Sequence, residues 1–222
     1  GKLTDYTHGL DVDVLMASEE LVVQKAWLGQ LFSDGYLSEK NFKSVFNALD
    51  SAEKLIKDNT FNWRQSEEDI HMNIERFVLD AVGDIGLNLH LGRSRNDLVS
   101  TTQRLFVKNK ISEIEDLLKK MGETLCSISE KYIDVIIPGF THLQSGAPTT
   151  FAHMFLAHAH AIRRDLKKIQ YTKNMCVESL PLGAAAFSGT HLKIDFESLA
   201  KKLGFRNPCQ NSYDSVGDRD FI

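Results

Sequence analysis

Three polar segments carry the side chains of this sequence that could bind or transform a small molecule. The first, residues 91–97 (LGRSRND), places N-cap residue types and two arginines in front of a long apolar periodicity. A helix that begins there presents free N–H groups and a partial positive charge, and Arg93 and Arg95 add forked donors. The segment therefore predicts either a cradle for a carboxylate or phosphate or a capped helix with solvated arginines.

The second segment, residues 138–148, is a neutral loop in which His142 is the only titratable side chain, flanked by Thr141 and Gln144. Because imidazole exchanges protons near neutral pH, His142 could donate or accept a proton in a reaction, or simply satisfy loop carbonyls. The third segment, residues 181–190, is a run of small residues. Its backbone could approach a ligand closely, although close packing is the simpler interpretation.

The elements that must position these segments are predicted to be helices. Four apolar side chains recur at helical spacing in residues 13–33: Leu15, Val22, Leu28 and Phe32. Asp34-Gly35 ends that helix, and Ser38 caps a second one reaching about residue 57. A capping box beginning at Ser66 opens a third helix, which reaches about residue 82.

The strongest periodicity belongs to a helix predicted from about residue 95 to 131. Its apolar seam alternates three and four residues apart: Ile111, Ile114, Leu118, Met121, Leu125, Ile128 and Tyr132. A second long helix is predicted from Pro148 to about residue 177, with the proline in its first turn. Asp195 and Gly204 bound a short helix. The prediction is an all-α chain, with a small helical domain over residues 1–94 and the first long helices of an incomplete central bundle over 95–222.

Composition excludes several classes of partner. The 222 residues carry a formal net charge of −4, so there is no basic footprint for nucleic acid. The longest charge-free run, residues 135–162, contains prolines, a glutamine and histidines and is a poor membrane helix. The three cysteines fit no metal spacing and are expected to be reduced thiols in the cytoplasm. No metal site is expected from the helical histidines: His153, His158 and His160.

Four motifs occur along the sequence: residues 92–97 (GRSRND), 138–144 (PGFTHLQ), 180–183 (LPLG) and 211–221 (NSYDSVGDRDF). In this order and spacing they resemble argininosuccinate lyase, a family of the fumarase and aspartase superfamily. Asp69, His71 and Glu75 further match the family's helix upstream of the arginine-rich motif. The resemblance extends from about Tyr6 to the last residue.

The resemblance implies a homotetrameric, all-helical enzyme that cleaves argininosuccinate reversibly to arginine and fumarate without a cofactor. In the family, each active site combines three segments from three subunits. Carried onto this sequence, the roles are catalytic (His142, Thr141), substrate-binding (Arg95, Asn96, Ser94, Asp97, Gln144) and supporting (Asp69, His71). The third segment, whose serine is the general base, does not occur here. We therefore interpret the sequence as the N-terminal part of such an enzyme and expect it to be inactive alone.

The sequence departs from the family pattern at several positions that are usually polar: Gly9, Leu91, Leu98, Thr102 and Phe140. Polar contacts are what discriminate between similar substrates. Two alternatives therefore stay open beside the argininosuccinate reaction. One is a paralogous lyase that acts on a different amino-acid adduct. The other is a non-catalytic structural relative, as lens crystallins of this family are.

Overall fold

A computed structural model describes residues 9–222, which form two compact units. The first contains the described chain up to residue 106 together with residues 176–222, and the second contains residues 107–175. The domain division predicted at residue 94 stays a prediction.

Helices make up most of the described chain, which confirms the all-α prediction. They are α1 (Leu10–Asp13), α2 (Ala17–Ser33), α3 (Glu39–Lys57), α4 (Ile70–Val82), α5 (Arg95–Lys131), α6 (Phe151–Cys176), α7 (Phe196–Leu203) and α8 (Ser212–Gly217), with 3₁₀ turns at Val14–Met16 and Gly83–His90. The strands are β1 (Ile136–Thr141), β2 (Gln144–Thr150), β3 (Ser179–Leu180) and β4 (Asn207–Pro208). None of the helices in residues 9–222 is long and apolar enough to cross a membrane.

Helix ends lie where local chemistry predicts them. The hydroxyl of Ser38 accepts a hydrogen bond from the Asn41 N–H at 3.2 Å and caps α3. Gly35, just beyond α2, has φ +83°, a conformation that glycine adopts without a steric cost. The Asp195 carboxylate caps α7, and Gly204 ends it in the left-handed conformation. The predicted bounds of α5 are also confirmed.

The start of α4 corrects the predicted capping box. Its N-cap is Asp69 rather than Ser66, and Oδ1 of Asp69 accepts a hydrogen bond from the Met72 N–H at 2.8 Å. A carboxylate is as good an N-cap as a hydroxyl and also favours the positive end of the helix dipole. The residues from 66 to 69 therefore form turns in front of the helix.

The buried face of α2 differs from the predicted apolar set. Leu15, Val22 and Phe32 are 65%, 52% and 36% exposed, and only Leu28 of the four is buried. The buried residues of the helix are instead Ala17, Glu20, Leu21, Val23, Gln24, Ala26, Trp27, Leu28, Gln30 and Leu31. Three of these are polar, because neighbouring elements supply hydrogen-bond partners inside the unit.

The first unit has one hydrophobic core, shared by α2, α3, α4 and α7. Its largest members include Leu21, Trp27, Leu49, Ile74, Val78, Leu89 and Leu203. Fully burying side chains of this size contributes about 1.5–3 kcal/mol each. The indole N–H of Trp27 donates to the Leu91 carbonyl at 3.0 Å, so the core also fixes the segment that leads into α5.

The structure of the second unit differs from the prediction in two places, the predicted loop and the start of the second long helix. Residues 136–150 form the antiparallel hairpin β1–β2, and α6 begins at Phe151 rather than Pro148. Pro138 faces Pro148 across this hairpin. A two-stranded ribbon has only edge strands, where a proline without an N–H is tolerated, so the prolines do not prevent pairing.

The apolar seam of α5 is covered unevenly. Ile111 and Leu125 are buried, whereas Ile114, Met121 and Tyr132 are 47%, 55% and 38% exposed. The predicted helix is thus confirmed, and a stripe of its apolar surface faces outward in this chain.

Candidate active site

The arginine-rich motif is built around the first turn of α5. Oδ1 of Asp97 accepts a hydrogen bond from the Ser94 N–H at 3.1 Å, and the Ser94 hydroxyl accepts one from the Asn96 N–H at 3.3 Å. These reciprocal contacts resemble a capping box and fix the chain where the helix begins. Arg95 and Asn96 therefore stand at the positive end of a rigid helix.

Asp97 joins this helix start to the small-residue segment at residues 181–190. Its side chain is completely buried, and Oδ2 accepts hydrogen bonds from the N–H groups of Gly183 at 2.9 Å and Ala185 at 2.8 Å. Burial raises the pKa of Asp97 although these backbone donors and Arg93 oppose the shift. These contacts direct the carboxylate inward, where it holds the start of α5 against residues 183–185. The predicted contact of Asp97 with substrate stays a prediction.

Close packing explains why two residues near the Asp97 contacts are glycines. Gly183 has φ +98°, and a Cβ there would collide with the ring of Phe196. Gly92 has φ +73°, and a Cβ there would collide with Leu192. Any other residue would be strained at both positions and would also lack room.

Arg93 turns inward and does not join Arg95 in a forked cradle. It is 9% exposed, its Nε donates to the Leu89 carbonyl, and Nη2 donates to Oε1 of Gln24 at 2.5 Å. Burial lowers the pKa of the Arg93 guanidinium, while the nearby Glu20, Asp97 and Glu75 carboxylates favour its charge. Arg93 of the motif thus supports the interior, whereas the side chain of Arg95 is 34% exposed.

Sequence reasoning missed Glu20, the acceptor at the centre of the buried polar network. Its carboxylate is completely buried and contacts Gln24 Nε2 at 2.7 Å, Thr102 Oγ1 at 2.8 Å and His71 Nδ1 at 2.9 Å. Burial disfavours both charges. The attraction of His71 and Arg93 nevertheless lowers the pKa of Glu20, and Glu20 raises the pKa of His71. Acidic and amide residues one turn apart on a core-facing helix could have indicated the network.

Arg95 is the outward-facing cation of the motif. Its Nη1 lies 3.3 Å from Oδ2 of Asp69 and 3.4 Å from Oε2 of Glu68. Its side chain is 34% exposed, and the neighbouring Asn96 is exposed. The structure therefore brings the predicted supporting residue Asp69 into contact with the predicted substrate-binding Arg95. His71 supports the same region from the buried side through Glu20.

The hairpin presents the other predicted residues. Thr141 and Gln144 are paired at its end, and the turn consists of His142 and Leu143 with φ values of 51° and 62°. Two left-handed residues make a type I′ turn, which matches the twist of the strands and costs about 1 kcal/mol at each non-glycine position. All four side chains are exposed.

The predicted residues thus belong to two different units of the chain. Ser94, Arg95, Asn96 and Asp97 lie in the first unit with Asp69 and His71, and the hairpin residues lie in the second. Within residues 9–222, no group of three or more His, Cys, Asp or Glu side chains could hold a metal ion. Cys126, Cys176 and Cys209 form no disulfide.

Comparison with known proteins gives matches over nearly the whole chain. The argininosuccinate lyases of Paracidovorax citrulli and Bordetella pertussis are each 38% identical to it over 216 residues, or 97% of this chain. The chain spans 44% and 46% of their lengths. Among solved structures, an EDDS lyase variant with bound fumarate matches with a TM-score of 0.85 at 20% identity, over 99% of this chain and 42% of that chain.

A second solved structure, a fumarate lyase:delta crystallin from Brucella melitensis bound to cobalt, matches with a TM-score of 0.79 at 18% identity, over 97% of this chain and 52% of that chain. At such identities the structural matches show the fold alone. The sequence profile of a family described as Lyase matches residues 4–222. The chain therefore belongs to this lyase family and is similar over nearly its whole length to argininosuccinate lyases.

Proposed function

We propose that this chain supplies two of the three active-site segments of an argininosuccinate lyase, which cleaves argininosuccinate to arginine and fumarate. The observation that carries the proposal is the 38% identity to argininosuccinate lyases over 97% of the chain. The site geometry supports it, because an outward cation at a helix start and an exposed imidazole on a hairpin are the groups that this reaction needs.

The first step removes a proton from the carbon beside a carboxylate of the succinyl half. The electron pair left behind spreads onto that carboxylate, so donors that strengthen as the charge grows accelerate the step. The Arg95 and Asn96 side chains at the start of α5 supply such donors, and Thr141 adds a hydroxyl. The base is the serine of the family's third segment, which lies outside this sequence.

The second step breaks the bond between the adjacent carbon and the guanidinium nitrogen. The electron pair of the carbanion forms the double bond of fumarate, and the departing nitrogen takes a proton and leaves as part of arginine. We assign His142 to this proton transfer, as donor or as part of a relay, because imidazole is a proton donor of suitable strength near neutral pH. Gln144 flanks it as a substrate-binding residue.

Two of the residues that depart from the family pattern lie in the interior of the first unit. Leu98 is 1% exposed in the core, and the Thr102 hydroxyl donates to the buried Glu20. These substitutions repack the interior and do not favour a different substrate. Phe140, in contrast, is 64% exposed on the hairpin that carries His142 and is the departure best placed to alter specificity.

We also propose that the functional assembly is a homotetramer in the cytoplasm. Exposed apolar side chains follow one another on α5 and the hairpin: Ile114, Leu117, Met121, Ile136 and Leu143. An apolar surface of this extent favours burial against other helices. The three cysteines form no disulfide, which is typical of proteins in a reducing compartment.

An assay of fumarate release from argininosuccinate tests the proposal. The ultraviolet absorbance of fumarate measures the reaction. The full-length protein should release fumarate, whereas this chain alone should not, because it lacks the serine segment. A folded, tetrameric full-length protein that leaves argininosuccinate unchanged would instead favour the structural-relative alternative. Turnover of another amino-acid adduct in preference to argininosuccinate would favour the paralogue.

A further inference from the structure

A second carboxylate–imidazole pair lies beside the Arg95 region and has no role in the steps above. His90, at the end of the 3₁₀ turn before the arginine-rich motif, places Nε2 at 2.7 Å from Oε1 of Glu75. The Glu75 side chain projects from α4 and is 18% exposed, whereas that of His90 is 42% exposed. The pair is thus anchored on its carboxylate side and accessible on its imidazole side.

The pair fixes which nitrogen of His90 carries the proton. Burial works against the charge of Glu75, but the hydrogen bond from His90 and the attraction of Arg93 and Arg95 lower the pKa of Glu75. An ionised carboxylate can only accept, so Nε2 must be the protonated nitrogen of neutral His90. Nδ1 is then an acceptor, on a side chain that is 42% exposed and accessible to a ligand.

The charges around this acceptor favour a cation. Glu68 and Asp69 contact Arg95, and Glu75 is near enough to Arg95 for their charges to interact. Three carboxylates thus surround one outward guanidinium, since Arg93 is turned inward. The charges therefore suit a ligand that combines a carboxylate for Arg95 with a cationic group for Glu75 and its partner His90.

In argininosuccinate, the guanidinium is the cation attached directly to the succinyl half. We propose that His90 Nδ1 accepts a hydrogen bond from the substrate guanidinium, and that Glu75 is the positioning residue that fixes the His90 tautomer. This proposal rests on the proposed function and deepens it, because it assigns the contact that distinguishes a guanidinium from a neutral group of the same shape.

Binding of L-arginine and L-citrulline to the full-length protein tests the proposal. Citrulline carries a neutral urea in place of the guanidinium, so the ratio of the two dissociation constants, measured by calorimetry, isolates the charge. Because hydrogen bonds to charged groups are stronger than neutral ones, we expect the unmodified protein to prefer arginine by about tenfold or more. His90→Ala and Glu75→Gln should each remove most of this preference.

Asp80→Asn is the matched control, because Asp80 lies on the same helix and forms an exposed ion pair with Arg64 at 2.5 Å. It should retain the preference for arginine. Nitrogen NMR of His90 should show the Nε2–H tautomer, and a mixture of tautomers in Glu75→Gln. An unchanged arginine preference in His90→Ala, no preference in the unmodified protein, or an Nδ1–H tautomer would each overturn the proposal.

These measurements need no turnover, so the two proposals can fail separately. A protein that prefers arginine through His90 but releases no fumarate would retain the present inference and remove the lyase reaction. An active lyase whose arginine preference survives His90→Ala would retain the reaction and remove the role of His90.

Discussion

The start of α5 and the tip of the hairpin hold their polar side chains in opposite ways. At the helix start, Asp97 and Arg93 are buried and bonded to backbone and side-chain groups of several elements. At the hairpin tip, His142 is exposed and fixed only through its own left-handed turn. The first region is supported by buried contacts, whereas the second holds an exposed imidazole on a tight turn.

Because of this difference, substitutions in the two regions should affect different properties, stability in the first and activity in the second. A substitution beneath the helix start removes partners of buried groups and should lower the free energy of unfolding. A substitution at the hairpin tip changes no buried contact, so any large effect there must be chemical. The two regions can therefore be distinguished by measuring folding and turnover in the same variants.

The largest expected effect is that of His142→Asn on turnover. If His142 transfers a proton to the leaving nitrogen, kcat for argininosuccinate in the full-length protein should fall by about 10²–10⁴. Asparagine adopts the left-handed conformation more readily than most residues, so the turn should persist. Steady-state kinetics and thermal unfolding, measured on the same samples, should show a large loss of rate and an unchanged Tm.

His158→Asn provides the control, since His158 is an exposed histidine of the same unit on α6. It should leave kcat within about twofold, as expected of a surface substitution away from the chemistry. Near-normal turnover in a stable His142→Asn tetramer would contradict the catalytic assignment. A lowered Tm with normal turnover would make His142 a structural residue of the turn.

A smaller effect, confined to stability, is expected of Asp97→Ala. The substitution leaves the N–H groups of Ser94, Gly183 and Ala185 without their acceptor, which should lower the free energy of unfolding by about 2–4 kcal/mol. Asp97→Asn should cost less, because its amide oxygen can still accept from Gly183 and Ala185. Urea unfolding of the three proteins at neutral pH measures the difference. If all three unfold at the same urea concentration, Asp97 does not stabilise the contact between the start of α5 and residues 183–185.

The same contrast explains which features the sequence alone could predict. Ser38, Asp195 and Gly204 act within one turn of the helices that they bound, so local chemistry predicts those bounds correctly. The motifs also predict Arg95 and His142, whose functional roles stay predictions. Glu20 was missed because two of its three partners, His71 and Thr102, lie on other helices, and only Gln24 is one turn away on α2.

Two errors have the same tertiary origin. Val22 and Phe32 follow a helical apolar period, yet the opposite face of α2 is buried because Trp27 and Leu31 pack into the core while buried Gln24 bonds to Arg93. The sequence predicts a loop at residues 138–148, where the structure has the hairpin, because prolines and glycines are typical of turns. Pairing between its two strands, which depends on register rather than composition, decides the structure there.

The second unit has its own internal support, which is electrostatic as well as apolar: Ile111, Leu125 and Ile162 are buried there. Glu115 on α5 lies 2.8 Å from Lys119 Nζ and 3.0 Å from Lys173 Nζ on α6, and Gln170 donates to it at 3.4 Å. The hydrogen bonds from Lys119, Lys173 and Gln170 lower the pKa of Glu115 from 4.5 to about 2. The network therefore joins the two long helices that carry the hairpin.

The smallest predicted effect follows from this lowered pKa. Because the folded chain holds Glu115 ionised more tightly than the unfolded chain does, its stabilising contribution is complete above the unfolded pKa of 4.5 and is lost as pH falls toward 2. Glu115→Gln should therefore lower Tm slightly at neutral pH, and the gap to the unmodified protein should close on acidification. Glu113→Gln, which removes an exposed pair with Lys110 on the same helix, should show little gap at any pH. A gap for Glu115→Gln that stays constant between neutral pH and pH 3 would mean that packing, rather than charge, couples the two helices.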